Sequence, residues 1–219
     1  ANSAAPASGV KAPPAEVKSI QNLKALKEQA EKGDRIAQLN LGIRYSNVEG
    51  DKAESFKGYR NAANQGLAEA QFNLGLAYAH GRGVAEDMVE AVKWWRKAAD
   101  QGNASAQFRL GTYYSNSTTP NQVQALSWYR KAADQGDAEA QYRLGWSYAR
   151  GWGVAKDQLQ SLRWYRIAAN QGHSTAQLNL GNSYYTGTPA LPQDFVQAAK
   201  WWRKTAELGN GEAQFKLGN

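Results

Sequence analysis

The sequence predicts an all-α fold, an α/α superhelical solenoid of about five helix-pair repeats with a partial sixth and an N-terminal capping helix. Three observations lead there. The motif Ala-Gln-x-x-Leu-Gly occurs six times, beginning at Ala37, Ala70, Ala106, Ala140, Ala176 and Ala213. Its closing glycines are spaced by 33, 36, 34, 36 and 37 residues, the period of stacked helix pairs. A helix-start signal, Asp or Asn followed three residues later by Glu or Gln, recurs midway through each of five units. A chain of 219 residues built this way reads as one repeat array, residues 33–219, in which each unit packs on its neighbours.

Residues 1–16 are small, Pro-rich and unpatterned, and are expected to be extended or disordered. Their character suits the stretch that follows a removed signal peptide, so a periplasmic or secreted location is the expectation, with a trimmed N-terminus and a cytoplasmic protein as alternatives. Residues 17–32 place Ile20, Leu23, Leu26 and Ala30 at helical spacing and predict a helix that covers the first repeat.

Within the fourth unit, Ala140, Leu144 and Tyr148 form one apolar stripe and predict a first helix over Asp137–Arg150. Gly145 beside Leu144 costs helix stability unless a partner helix comes close there. The chain breaks at Gly151-Trp152-Gly153-Val154 and restarts at Asp157, expected to cap the second helix. The corresponding pairs are Asp51/Glu54, Asp87/Glu90, Asn121/Gln124, Asp157/Gln160 and Asp194/Gln197. Second helices carry an aromatic pair, basic residues and small residues, as in Trp94-Trp95-Arg96-Lys97-Ala98-Ala99, and stop at Gly102, Gly136, Gly172 and Gly209. The loop between helices varies: full Gly-x-Gly-Val-x-x-Asp in units two and four, an insertion with Pro189 and Pro192 in unit five, and shorter forms in units one and three.

Composition narrows the function. Without cysteine there are no disulfides, thiolate metal sites or cysteine nucleophile, and two histidines leave little for zinc. No window is long and apolar enough to span a membrane, and no cofactor is implied. A net charge of +7 favours acidic partners. The basic excess, however, recurs at one place on the second helices, at Arg60, Arg96, Lys97, Arg130, Lys131, Arg166, Arg203 and Lys204, where aliphatic stems would cover aromatic rings on a solvated face. Nucleic acid is therefore not the expected partner. The glutamines Gln38, Gln71, Gln107, Gln141, Gln177 and Gln214 lie beside the buried stripe, where an amide would satisfy backbone groups between repeats.

Ala-x-x-x-Leu-Gly-x-x-Tyr, Gly-x-Gly-Val-x-x-Asp and Trp-Tyr-x-x-Ala-Ala-x-x-Gly, all in register in the fourth unit, resemble the Sel-one-like repeat family, a relative of the tetratricopeptide repeats. Departures are Gly58 where an aromatic is expected, Thr205 for the first alanine of Ala-Ala, and the two short loops. The resemblance implies a superhelix whose concave side binds proteins or peptides, an adaptor role, and no catalysis.

A second stripe on the first helices is expected to face that concave side. Its ladder is Asn40, Asn73, Arg109, Arg143, Asn179 and Lys216, hydrogen-bond donors throughout, suited to a peptide backbone or acidic groups. Asn182, His80, Asn116 and Arg150 lie on the same face, with Trp146 as an anchor and Trp152 in the loop as a second contact. The leading function is a non-enzymatic protein-interaction module. The alternatives are an immunity or inhibitor protein that neutralises a secreted effector enzyme, and a weak cell-wall-related hydrolase, disfavoured because no nucleophile sits with an adjacent base.

Overall fold

The computed structural model describes residues 15–47, 51–117, 120–188 and 191–218. Among them are twelve helices, in two compact bodies, Ala1–Glu86 and Asp87–Asn219. The first holds α1 (Ala15–Glu31), α2 (Arg35–Ser46), α3 (Lys52–Asn64) and α4 (Ala68–Ala79). The second holds α5 (Met88–Asp100), α6 (Ala104–Asn116), α7 (Gln122–Asp134), α8 (Ala138–Arg150), α9 (Gln158–Asn170), α10 (Ser174–Thr186), α11 (Phe195–Glu207) and α12 (Gly211–Gly218). In each body, helices consecutive in sequence pack on one another, the all-α helix-pair arrangement the repeats predict. The capping helix begins at Ala15, two residues ahead of expectation, because Ala15 and Glu16 are themselves good helix formers. The rest of the segment expected to be extended, residues 1–14, lies outside the described residues.

The Leu-Gly pair sets the spacing of each helix pair. Leu74, Leu110, Leu144 and Leu180 are completely buried. The adjoining glycine admits an aromatic ring so closely that a methyl group at Gly145 would lie 2.6 Å from Cδ1 of Tyr165. Gly42 meets Tyr59, Gly111 meets Tyr129 and Gly181 meets Trp202 in the same way. The glycine lowers helix propensity, and the contact made possible by its missing side chain offsets that cost.

A ladder of glutamines joins each pair to the one before it. The side-chain amides of Gln38, Gln71, Gln107, Gln141, Gln177 and Gln214 donate to the carbonyls of Ala30, Ala63, Ala99, Ala133, Ala169 and Ala206 at 3.0 to 3.3 Å. These carbonyls lie in the last turn of the preceding helix, where the full helical pattern runs out, and each takes the glutamine amide as a second donor beside the backbone N–H of the glycine three residues on, at 2.9 to 3.1 Å. The amide oxygens are used as well: Gln65 donates to Gln38 at 2.8 Å, Gln135 to Gln107 at 2.8 Å and Gln171 to Gln141 at 2.7 Å. In the fifth unit Leu208 stands where those C-terminal glutamines stand, and the Thr205 hydroxyl takes over part of their role, sharing its one proton between the Gln177 oxygen at 3.2 Å and the Trp201 carbonyl at 3.1 Å. The Thr205 departure is thus one half of a paired change.

Capping follows expectation at Asp87, Asn121, Asp157 and Asp194, each accepting from the backbone N–H three residues on at 2.9 to 3.0 Å. Asp51 departs: its backbone sits at φ −103°, ψ 33°, not extended, and its carboxylate makes no cap hydrogen bond. The reciprocal half of the expected capping box is also replaced. The N–H groups of Asn121, Asp157 and Asp194 donate to the carbonyls of Tyr114, Tyr148 and Tyr184 at the end of the preceding helix. The loop glycine Gly153 is needed for two reasons: its φ is +69°, and a side chain there would meet the Gln122 carbonyl oxygen at 2.4 Å. The insertion of unit five closes through paired hydrogen bonds between Thr188 and Leu191; Pro189 and the short loops at 48–50 and 118–119 lie outside the described residues.

Gly145→Ala is expected to lower stability by about 1–3 kcal/mol despite the better helix propensity of alanine, since ring and backbone must separate; the midpoint of urea unfolding followed by circular dichroism measures this. Thr205→Ala should cost about 1 kcal/mol by stranding the Gln177 oxygen, and adding Leu208→Gln to it should restore the midpoint.

Candidate functional site

The cations of the second helices decide which positive charge faces a partner. Arg96 donates to the Tyr114 hydroxyl at 2.7 Å and Arg166 to that of Tyr184 at 3.0 Å, and Arg130 donates to Tyr148. The Arg96 guanidinium also stands 4.9 Å from the centre of the Trp128 ring and Arg130 5.6 Å from that of Trp164, while Lys97, Lys131 and Lys204 lie over Trp94, Trp128 and Trp201. These stems cover rings and the heads fasten one repeat to the next, as their recurrence predicts.

The candidate contact residues separate into groups. Asn40 and His80 are exposed in the first body, where Asn73 is half-buried beside Arg82 in a hollow of about 520 Å³. In the second body, Arg109 and Arg150 are exposed. Asn116, Arg143, Trp146 and Trp152 come together around a recess of about 200 Å³ whose floor includes Tyr129 and Leu126. The two indoles meet edge to face, centroids 4.8 Å apart at 80°. Trp152 is held against Trp146 and still 41% exposed, because the loop amides of Gly151 and Trp152 both donate to the Ser147 carbonyl and fix the turn.

Three ladder positions and one neighbour are engaged within the protein. Asn182 accepts from the Trp202 indole N–H at 3.1 Å, Asn179 acts on the Tyr165 phenol, and Lys216 pairs with Glu212 at 3.8 Å. Arg143 pairs with Glu139 at 3.0 Å while lining the recess. The stripe is therefore not an unbroken row of available donors. Spacing along one helix identifies a face, but the partner offered by the next helix decides whether a donor on that face is already used.

A polar cluster beside the recess was not among the candidate contacts. Glu139 holds Arg143 with one oxygen and His173 Nε2 with the other at 2.8 Å, and the His173 ring stacks on Tyr142 with centroids 4.7 Å apart. His173 Nδ1 accepts from the Ala176 N–H at 3.1 Å, so this ring nitrogen is the acceptor and Nε2 carries the proton. The histidine thus caps α10. The signal was in the sequence: Asp34, Asn103, Asp137 and Asn210 occupy the same place after a glycine and cap their helices through a side-chain oxygen. Among the described residues no group of three or more His, Cys, Asp or Glu could hold a metal ion, and no helix is long and apolar enough to cross a membrane.

Behind the recess, burial, and then the neighbouring Tyr142, push the Tyr165 phenol up to about 12, against smaller opposing effects of Ser161, Asn179 and Arg150. The folded state holds this proton more tightly than the unfolded chain, whose tyrosines titrate near 10. Its stabilising effect is whole below pH 10 and is lost as pH rises towards 12. The unfolding midpoint of the unsubstituted protein should fall more steeply than that of Tyr165→Phe between pH 10 and 12, and in parallel with it below pH 10.

The family model for the Sel1 repeat matches residues 35–67, 68–103, 104–137, 138–173 and 174–210. No curated protein matches the chain. A solved Sel1 repeat protein from Oxalobacter formigenes is 35% identical, with a TM-score of 0.78 over 92% of this chain and 83% of that one. A protective antigen present in uropathogenic Escherichia coli strains, displaying an SLR fold, is 36% identical with a TM-score of 0.77; the match covers 90% of this chain and 51% of the antigen, so this chain spans about half its length. The immunity protein PA5088 of Pseudomonas aeruginosa, 22% identical over 83% of this chain and 67% of its own with a TM-score of 0.54, shares the fold.

Proposed function

The chain belongs to the Sel1 repeat family, and from that premise we propose that it is a non-enzymatic protein-interaction module that holds an extended protein segment at the recess between α7 and α8. One observation carries the reading: Trp146 and Trp152 stand edge to face on the rim with Arg143 and Asn116 beside them. Aromatic and guanidinium groups gathered at a concave place are the composition of interface hot spots. Arg143 supplies a cation that an acidic residue of the partner can share with Glu139, and Asn116 can meet a peptide group. A rigid repeat scaffold suits this role because its contact side chains are held in place before the partner arrives.

An adaptor of the cell envelope fits the small-residue N-terminal segment, residues 1–15, and is the setting we propose. Inhibition of an effector enzyme is the second reading, and the likeness to PA5088 supports it at the level of fold.

Panning a displayed random-peptide library against the chain should enrich sequences with a carboxylate near an apolar anchor. Binding of those peptides should weaken at least about tenfold in Trp152→Ala and in Arg143→Ala, the size of loss expected of hot-spot positions, with helicity unchanged. Enriched peptides indifferent to both substitutions would remove the recess as the site.

A further inference from the structure

The first repeat contains the slot for a tryptophan but not the tryptophan. Trp128-Tyr129 and Trp164-Tyr165 correspond to Gly58-Tyr59, and the second residue of each pair packs on the Leu-Gly glycine of its own repeat. In the fourth unit the first residue, Trp164, is buried in a cluster with Ala133 and Leu144 and with Tyr148 packed against it. The equivalent surroundings in the first unit are Ala30, Leu41 and Tyr45. The equivalence rests on the glutamine ladder, since Gln38 bonds the Ala30 carbonyl as Gln141 bonds that of Ala133. With Gly58 in place of the indole, these residues line a hollow of about 410 Å³. Leu41 is consequently only half-buried, whereas Leu74, Leu110, Leu144 and Leu180 have no exposure.

The cation belonging to that slot is also present. Arg96 and Arg130, each three residues before the alanine whose carbonyl the glutamine binds, cover Trp128 and Trp164. Lys27 holds the same place before Ala30, lies 5.7 Å from the centre of the Tyr45 ring, and lines the hollow. The chain's own backbone cannot accept a side chain at Gly58, where a Cβ would meet the Gln38 carbonyl oxygen and the Gly42 nitrogen at 2.8 Å. An indole can therefore enter only from outside.

The mouth has a charge preference. Glu31, Asp51 and Glu54 line it against Lys27 and Lys57, with Glu54 shared by Lys57 at 3.7 Å. Asp51 is the one second-helix cap position whose carboxylate is not spent on its helix. We infer that this hollow binds a tryptophan side chain of a partner protein segment in which the tryptophan is flanked by Lys or Arg, the indole beneath Lys27 and the flanking cation towards Glu31 and Asp51. This site lies in the first body and does not depend on the recess at Trp152.

Titrating acetyl-Lys-Trp-Lys-amide into the isotope-labelled chain should produce saturable amide shifts at Leu41 and Gly58. Acetyl-Lys-Ala-Lys-amide should produce none, and acetyl-Glu-Trp-Glu-amide should bind several-fold more weakly. Lys27→Ala, on an exposed position that leaves the fold intact, should weaken the Trp peptide at least threefold. Ala30→Phe should plug the hollow, abolish binding and raise the melting temperature. Shifts confined to the Trp152 recess, equal binding of the Ala peptide, or binding unchanged in both variants would overturn the inference. So would a homodimer, seen by sedimentation, that the peptide does not dissociate.

Discussion

The contact between a glycine on one helix and an aromatic ring on the next governs this structure. A solenoid unit cannot bury enough surface alone, so its helices must approach until rings and backbone touch. Gly42, Gly111, Gly145 and Gly181 provide that approach, and the leucine beside each glycine becomes fully enclosed where the next layer also carries its tryptophan. The glutamine ladder holds the other interface, since Gln141 of α8 and Gln177 of α10 reach the Ala133 and Ala169 carbonyls of the preceding α7 and α9. Close packing within a pair and polar satisfaction between pairs are the two parts of one device.

Much of that device was legible in the residues. Helix pairs followed from the period, the glutamines from their place beside the buried stripe, and the cations of the second helices from recurrence over aromatic rings. What was not legible depends on backbone direction or on an adjacent repeat. Asp51 carries the right cap chemistry, yet its backbone turns the carboxylate away from the helix. Asn179 and Asn182 lie on the expected face, but Tyr165 and Trp202 reach them from the neighbouring helix. His173 is not recognised as a cap from the sequence because capping by a ring nitrogen is not among the usual side-chain-oxygen signals, although its place after a glycine matches four Asp or Asn caps. The convergence of Arg143, Trp146 and Trp152 was half legible: the stripe predicted the first two, and only the loop conformation brings the third to them.

The two proposed contact surfaces fall where the repeat rule is broken. Regular positions are consumed by the fold, whereas a loop tryptophan held half-exposed and a glycine in place of a tryptophan leave surfaces that no repeat contact uses. The two lie in different bodies and present different chemistry, a cation beside paired indoles in one and an acidic-rimmed apolar hollow in the other.

The dependence of the whole arrangement on the glycine–ring contact is tested most directly by a double-mutant cycle of Gly145→Ala with Tyr165→Leu, read as unfolding free energies. A ring-free partner has room for the methyl group, so Gly145→Ala should lose most of its cost in the Tyr165→Leu background, a coupling above about 1 kcal/mol. Costs that simply add would show that the helix spacing is set elsewhere.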